Sequence, residues 1–359
     1  MAGVKILILN RGSSSLKCSL FDFPKLLFEE EVTWENIRKK TPLPLKKLKN
    51  ITLDVIGHRI VHGGTFIKSR VIDKGVKEKI KAFSKFAPLH NLAELELIEK
   101  MEKNFPKALQ IAVFDTAFHH TLPQKAIIYG GPYSWYEQGI RRYGFHGISF
   151  QYCARKAKEI LPKKAKIVIC HLGSGASLCA IKNGKSIDTT MGFTPLEGLI
   201  MDTRCGSIDP GILLYLKDKN LMKTLYDHSG LLGLSGKTSD MKELESLKDP
   251  RSLLALEIYL HQLCKQLGAM VASLQGVDGL AFTGGIGENS PYIRQRVCDN
   301  FSFLGIEIDK KKNEKKEEIL STKNSKITVL VIPTQEALEI ANECNQLVSS
   351  IRKRQKGKV

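Results

Sequence analysis

Two arginines have neighbours that suit the binding of an anion. Arg59 lies in the stretch GHRIVHGG and Arg204 in MDTRCG. A guanidinium at the end of an apolar strand, with glycine giving access, suits recognition of a carboxylate or phosphate through paired hydrogen bonds. Phosphoryl transfer needs such charges more than it needs a covalent nucleophile, because its transition state spreads negative charge over oxygens. The pair therefore indicates chemistry on an anion in transfer.

Three glycine-rich turns follow apolar runs, at 10–15, 171–175 and 283–289. Glycine lets backbone N–H groups approach a ligand and hydroxyl groups add donors, so such turns can hold phosphate oxygens. None has the GxxxxGK[ST] spacing or the full dinucleotide fingerprint, and each alone is more often a plain tight turn. The first two turns, however, follow copies of one pattern, since 5–13 and 166–174 share Lys, Ile, Ile, Gly and Ser in register. Together the three turns favour nucleotide binding.

The remaining polar clusters do not assign the chemistry by themselves. We interpret four histidines as structural or surface residues: His58, His62, His119 and His120. Asp115 could cap a strand end, and Glu197 fits a helix cap better than a catalytic acid. The residues alone therefore predict a two-domain enzyme that acts on anions and a nucleotide.

The elements that would position these residues alternate between strand and helix, which is typical of an α/β architecture. Predicted strands cover 4–9, 16–22, 53–57, 110–114, 166–170, 177–181, 278–282 and 326–332. Capping patterns predict helix starts at Asn91, Thr194 and Ser290, and the longest helix is predicted over 251–275. We interpret 24–50 as a surface excursion and 309–326 as a solvated helix and loop. A duplicated α/β domain with a cleft between the halves fits the repeat.

Composition limits the class of protein. The chain has 359 residues, 42% of them hydrophobic, and no apolar run approaches the length of a membrane span. Its eight cysteines form no CxxC pairs, so we expect reduced core thiols in a cytoplasmic protein and no structural zinc. The net charge of +18 is spread thinly along the sequence. We therefore expect a solvated lysine-rich surface, not a nucleic-acid-binding one.

Ten motifs occur in a fixed order: ILNRGSSSLK, GHRIVHGG, APLHN, FDTAFHHTLP, RRYGFHGIS, HLGSGASL, TTMGFTPLEGL, SGLLGLSGKTSDM, FTGGIGENSP and IPTQEALEIA. This series resembles the acetate kinase family over essentially the whole chain. The resemblance implies an α/β fold with two related actin/hexokinase-like (ribonuclease H-like) domains and an active-site cleft between them. The N-terminal domain would comprise 1–117 and 338–359, and the nucleotide-binding domain 118–337. The implied reaction is reversible, Mg²⁺-dependent, in-line phosphoryl transfer from ATP to acetate, giving acetyl phosphate and ADP, by a cytoplasmic homodimer.

The resemblance also implies roles for individual residues. The catalytic residues would be Arg59, Asp115, His146 and Arg204. The substrate would contact Arg59, Val61, Leu89, Phe145 and Pro195. ATP would contact Ser13, Ser15, Lys17, His171, Leu172, Gly173, Ser174, Gly175, Asp240, Met241, Lys242, Gly285, Ile286, Gly287, Glu288 and Asn289. Mg²⁺, or Mn²⁺, would be held through water by Asn10 and Glu336.

The chain departs from the family pattern at four positions near these residues: Ser174 in place of Asn, Asp202 in place of Gly, Ser207 in place of Asp and Lys242 in place of Arg. An extra carboxylate near an anion site can pair with an arginine or repel substrate. The chain is also shorter than is typical, chiefly between 22 and 52. Two alternatives stay open: a propionate-preferring kinase, and an ATP-binding module of the same fold without this chemistry. A nucleic-acid-binding protein is a third reading.

Overall fold

The computed structural model describes residues 3–12, 15–33, 48, 51–86, 88–217 and 219–356. The chain divides into two compact units, and it passes from one to the other between Phe118 and His119 and between Thr334 and Gln335. The first unit therefore contains both ends of the chain, and the second is a continuous segment.

The first unit is built on a six-stranded sheet with the order β3-β2-β1-β4-β6-β5. Its strands are β1 (Lys5–Arg11), β2 (Ser15–Asp22), β3 (Lys25–Thr33), β4 (Val55–Ile60), β5 (Arg70–Val71) and β6 (Leu109–Phe114). β1 to β3 form an antiparallel meander, β4 lies parallel to β1, and β6 lies parallel to β4. The helices are α1 (Lys74–Ala82), α2 (Pro88–Asn104) and, at the C-terminal end, α14 (Glu336–Lys356).

The central strands of this sheet are covered on both faces, which explains their continuous apolar runs. Ile6, Leu7 and Ile8 of β1 are completely buried. Gly57 of β4 lets α14 pack closely, since a Cβ at this position would lie 2.7 Å from the Sγ of Cys344. The end of β4 is thus held rigidly between the helices and its neighbouring strands.

The second unit repeats this arrangement in a five-stranded sheet with the order β11-β10-β7-β8-β9. Its strands are β7 (Lys166–Leu172), β8 (Ala176–Lys182), β9 (Lys185–Thr189), β10 (Gly279–Thr283) and β11 (Thr328–Val331). β7 to β9 again form an antiparallel meander, with β10 and β11 parallel to β7 on its other side. The duplication predicted from 5–13 and 166–174 is confirmed.

The helices between α2 and α14 are α3 (Gln124–Ile127), α4 (Tyr133–Glu137), α5 (Gly147–Ile160), α6 (Pro210–Leu216), α7 (Leu221–Asp227), α8 (Gly230–Ser235), α9 (Met241–Ser246), α10 (Pro250–Leu274), α11 (Gly284–Asn289), α12 (Pro291–Asn300) and α13 (Lys310–Lys315). Three short 3₁₀ turns lie at Phe83–Lys85, Ala117–Thr121 and Ser302–Leu304. The predicted cap at Ser290 is confirmed, because its side chain accepts a hydrogen bond from the Ile293 N–H at 3.0 Å. The long predicted helix is α10, capped by Asp249.

Two predicted helix starts are wrong. Asn91 does not start a helix, since α2 begins at Pro88 and the buried Asn91 side chain bonds the backbone of His62 instead. No helix follows Thr194, and Glu197 pairs with Arg142 at 2.6 Å, not with a helix end. The first part of 24–50 is strand β3; 34–47, 49 and 50 lie outside the described residues. The segment 309–326 contains helix α13 and is mostly exposed, as predicted, although Asn313 is buried and Ile319 and Ser321 form β-bridges.

No helix within the described ranges is both long and apolar enough to cross a membrane. All eight cysteines fall in those ranges and are free thiols; seven are buried and Cys205 is half-buried. Burial also raises the pKa of the Cys205 thiol. Seven of the eight cysteines therefore lie in the core, as predicted.

Candidate active site

In the first unit, Arg59 and Asp115 form a buried ion pair. Arg59 is near the end of β4, and Asp115 directly follows β6, the parallel neighbour of β4. The guanidinium donates to Oδ2 of Asp115 from Nη2 at 2.6 Å and from Nε at 3.1 Å. Burial alone lowers the pKa of Arg59, but the charges of Asp115 and Glu336 outweigh it and raise that pKa overall. The guanidinium therefore remains a permanent cation.

Asn10 and Glu336 extend this pair into a network of four side chains. Nη1 of Arg59 donates to Oδ1 of Asn10 at 3.1 Å, and Nδ2 of Asn10 donates to Oε2 of Glu336 at 2.8 Å. Asn10 lies near the end of β1, next to β4, and Glu336 begins α14. The carboxyl ends of parallel strands meet at one edge of a sheet, which is where α/β proteins commonly bind ligands.

The predicted phosphate-binding residues of the first hairpin are held by acidic side chains of β3. The Ser15 hydroxyl donates to Glu31, and Nζ of Lys17 lies 2.7 Å from Glu29. Ser13 lies outside the described residues. The sequence prediction missed this contact because it did not identify β3.

In the second unit, His146, Gly175 and Arg204 converge. His146 precedes α5 in a left-handed conformation with φ of 55°, and its Nδ1 is hydrogen bonded to the Ser177 hydroxyl at 2.8 Å. A Cβ at Gly175 would lie 3.0 Å from Nε2 of His146 and 3.5 Å from Nη2 of Arg204. Only a residue without a side chain fits between them without displacing the imidazole. Nη1 of Arg204 donates to the Pro195 carbonyl at 2.9 Å.

His171 joins this group from the end of β7. Its ring stacks on that of His146, with centroids 4.2 Å apart and planes 28° apart. Its Nδ1 is hydrogen bonded to the Ser149 hydroxyl at 2.8 Å, and Ser149 also contacts the Thr334 hydroxyl. The sequence analysis did not select Ser149 and Ser177, although both lie in motifs quoted above, because a serine hydroxyl by itself does not indicate which histidine it contacts.

The second and third glycine-rich turns lie side by side in this unit. A Cβ at Gly173 would be only 3.6 Å from the backbone nitrogen of Gly285. The third turn is helix α11 and not a loop, and Oε1 of Glu288 accepts hydrogen bonds from the N–H groups of Gly284 and Thr334. The fully buried Arg294 donates to the Gly287 carbonyl at 2.9 Å. This part of the site is therefore rigid.

The other predicted nucleotide residues differ in exposure. Leu172 and Met241 are buried, Ile286 is half-buried, and Ser174, Lys242 and Asn289 are exposed. Asp240 caps α9 by accepting from the Glu243 N–H at 2.8 Å.

Burial raises the pKa of Asp202, while a hydrogen bond from Ser174 and the charge of Arg204 lower it. Two of the departures from the family pattern, Ser174 and Asp202, thus interact directly; Ser207 bonds the Gly198 N–H instead.

Of the predicted apolar contacts, Val61 in the first unit and Phe145 and Pro195 in the second are buried. The side chain of Leu89 lies outside the described part of the structure. The sequence analysis missed Glu94 of α2, a carboxyl only 2% exposed, which accepts the Val61 N–H at 3.2 and 3.3 Å.

Comparison with known proteins agrees with this geometry. A family model described as the acetokinase family matches residues 44–342. An acetate kinase from Nostoc punctiforme is 44% identical over 405 aligned residues, which cover 97% of this chain and 100% of that protein. The crystal structure of a propionate kinase from Francisella tularensis superposes with a TM-score of 0.86 at 37% identity, covering 95% of this chain and 98% of that one.

The crystal structure of the Porphyromonas gingivalis acetate kinase also gives a TM-score of 0.86, at 36% identity, with 96% of this chain and 100% of that chain covered. These similarities cover nearly the whole chain, and the family model spans Arg59, Asp115 and His171. The fold class predicted from the sequence is confirmed. The chain belongs to the acetokinase family.

Proposed function

We propose that this protein is an acetate kinase, which transfers the γ-phosphoryl group of ATP to acetate and forms acetyl phosphate and ADP. The observation that carries the proposal is the buried network of Arg59, Asp115, Asn10 and Glu336. The Arg59 guanidinium is permanently charged, half-buried and oriented by a hydrogen-bonded carboxylate, which suits it to bind the carboxylate of a second substrate in addition to ATP. The family match and the acetate kinase relatives support the same conclusion.

In this proposal Arg59 binds the substrate carboxylate, and Asp115 orients the guanidinium. The ion pair is formed before any substrate arrives, so little rearrangement is needed when acetate binds. Val61, Phe145 and Pro195 supply apolar surface for the methyl group. One acetate oxygen then forms a bond to the γ-phosphorus as the bond from that phosphorus to the bridging oxygen of ADP breaks.

His146 and Arg204 stabilise the phosphoryl group during transfer. Their nitrogens converge on Gly175, in the turn proposed to hold the ATP phosphates. Charge spreads over the phosphoryl oxygens in the transition state, so fixed hydrogen-bond donors at this point lower its free energy. The short contact to Ser177 and the stacked His171 keep the imidazole in place.

Asn10 and Glu336 fit an Mg²⁺ ion that is held mainly through water and by the nucleotide. Among the described residues there is no group of three or more His, Cys, Asp or Glu side chains that could hold a metal alone. Mg²⁺ commonly binds one or two carboxylates together with waters and substrate phosphates, and Mn²⁺ accepts the same oxygen ligands. Bound there, the ion would neutralise phosphate charge during transfer.

A propionate-preferring kinase is the second candidate, because the propionate kinase from Francisella tularensis is as similar in structure as the acetate kinase from Porphyromonas gingivalis. One methylene in an apolar pocket changes discrimination by only about 1–3 kcal/mol.

The test is acyl-phosphate formation, trapped as the hydroxamate, with Mg²⁺, ATP and either acetate, propionate or butyrate. Product with acetate at the highest kcat/KM supports the proposal. Absence of product from folded protein that binds ATP would favour the ATP-binding module.

We further propose that the protein is a homodimer, as the resemblance implies, and that it is cytoplasmic and binds no nucleic acid, as its cysteines and its thinly spread charge indicate. Sedimentation analysis at increasing protein concentration tests the dimer. Retention on DNA or RNA that falls with salt and survives mutation of the ATP site would favour the nucleic-acid reading instead.

A further inference from the structure

The first turns of α2 hold the backbone that follows Arg59. The Asn91 side chain accepts from the His62 N–H at 3.1 Å and donates to the His62 carbonyl at 3.0 Å. Both carboxyl oxygens of Glu94 lie within 3.3 Å of the Val61 nitrogen. The helix therefore fixes two successive residues beyond the arginine proposed to bind substrate.

Charged groups face Glu94 from three other elements of the same unit. They are Arg11 on β1, Arg59 on β4 and Asp115 after β6. Arg11 is itself tied to α2, since its Nη1 donates to the Ala93 carbonyl at 2.9 Å. Glu94 is thus a buried ionisable group within the electrostatic reach of the proposed anion site, and no step of the proposed mechanism uses it.

We propose that Glu94 is a positioning residue for the carboxylate substrate: it fixes Val61 beside Arg59, and its ionisation weakens the attraction of Arg59 for the substrate. This inference rests on the proposed function. In either protonation state the carboxyl group can accept the Val61 N–H. In the ionised state it adds a third negative charge near Arg59, alongside those of Asp115 and Glu336.

The pH at which Glu94 ionises, and at which KM should change, depends on the groups that surround its carboxyl. Burial raises the pKa of Glu94 to about 8, although Arg59, the Val61 N–H and Arg11 lower it. At neutral pH the group is therefore mostly protonated. Above pH 8 its negative charge opposes binding of the acetate anion. A unit charge within about 10 Å at an effective dielectric of about 20 corresponds to a change on the order of tenfold in KM.

The test is to measure kcat and KM for acetate between pH 6.5 and 9.5 in the wild type and in Glu94→Gln. We expect the wild-type KM for acetate to rise by about tenfold through pH 8, with a smaller change in kcat. Glu94→Gln keeps an acceptor for Val61 without an ionisable group, so its KM should stay flat. Glu94→Ala should have a raised KM at every pH. The matched control is Glu99→Gln, an exposed residue of the same helix, which should follow the wild type.

An active wild type whose KM profile is identical to that of Glu94→Gln would overturn the role of Glu94. No product from the wild type at any pH would overturn the proposed function, and the inference with it. Urea unfolding between pH 4.5 and pH 9 gives a readout independent of activity. A raised native pKa means that the free energy of unfolding of the wild type should fall, relative to that of Glu94→Gln, between pH 5 and pH 8. A difference between the two proteins that stays constant over this interval would contradict the ionisation.

Discussion

Replacement of Asp115 by alanine tests how much the Arg59–Asp115 ion pair contributes to the free energy of unfolding. The variant leaves the Arg59 guanidinium, whose side chain is 12% exposed, with Asn10 and the charge of Glu336 as partners. Removing one member of a buried ion pair typically costs about 3–5 kcal/mol, because the other charge stays buried without compensation. Since two partners remain, we expect the lower end of that range, about 3 kcal/mol.

The assay is urea unfolding at pH 7, followed by far-ultraviolet circular dichroism. The control is Glu102→Ala, which breaks the half-exposed pair between Lys77 and Glu102 in the same unit and should cost less than about 1 kcal/mol. The double variant Arg59→Met/Asp115→Ala should recover part of the stability lost by Asp115→Ala, because it no longer buries an unpaired charge. If Asp115→Ala costs no more than Glu102→Ala, the reasoning about this network is refuted.

The same residue should matter more for turnover than for folding. Asp115→Asn keeps an oxygen that can accept from Arg59 but removes the charge that orients the guanidinium. A misplaced catalytic group can cost about 100-fold in rate, so we expect a loss of that order in kcat/KM for acetate. Unchanged turnover in a folded Asp115→Asn protein would contradict the positioning role.

Three further predictions concern the second unit. Gly175→Ala should lower kcat by about tenfold or more, measured as hydroxamate formation, because the new methyl group displaces the His146 imidazole. Burial lowers the pKa of His119 to about 4, below its value in the unfolded chain, so the unfolded state binds more protons in acid. Stability should therefore fall between pH 7 and pH 4.5, by about 2–3 kcal/mol from this group, and urea unfolding of His119→Gln should show a smaller fall. Asp202→Asn should lower KM for ATP by about threefold, because it removes negative charge beside Ser174 in the proposed phosphate turn; an unchanged KM would place Asp202 outside the nucleotide's influence.

Local sequence signals predicted most of the fold. Strand runs such as 167–170 consist of uninterrupted apolar residues, and the repeated pattern at 5–13 and 166–174 predicts two related α/β halves, as the two sheets show. Strand β3 was missed because its sequence is mostly exposed and contains three successive glutamates, so that it resembles a surface loop. Its strand conformation comes from pairing with β2, which local sequence does not encode.

In the candidate site, too, local sequence identified some residues and missed others. Arg59 and Arg204 could be selected from the sequence because each has a glycine two residues away, although only Arg59 is near a strand end and Arg204 lies in an irregular segment. Asn91 was interpreted as a helix start and Glu94 was not selected as a site residue, whereas both bond the backbone groups of 61 and 62, about thirty residues away in the sequence. Contacts of this kind depend on how a helix packs against a strand end, so no local pattern reveals them.

The distribution of the cysteines would allow a single site to be labelled selectively. Seven thiols are enclosed in the core, and Cys205, the half-buried one, adjoins Arg204. Because burial raises the pKa of Cys205, alkylation by a maleimide dye should be slow at neutral pH and faster in mildly alkaline solution. A fluorophore attached there would report ligand binding from beside the arginine, with no need to remove the other cysteines first.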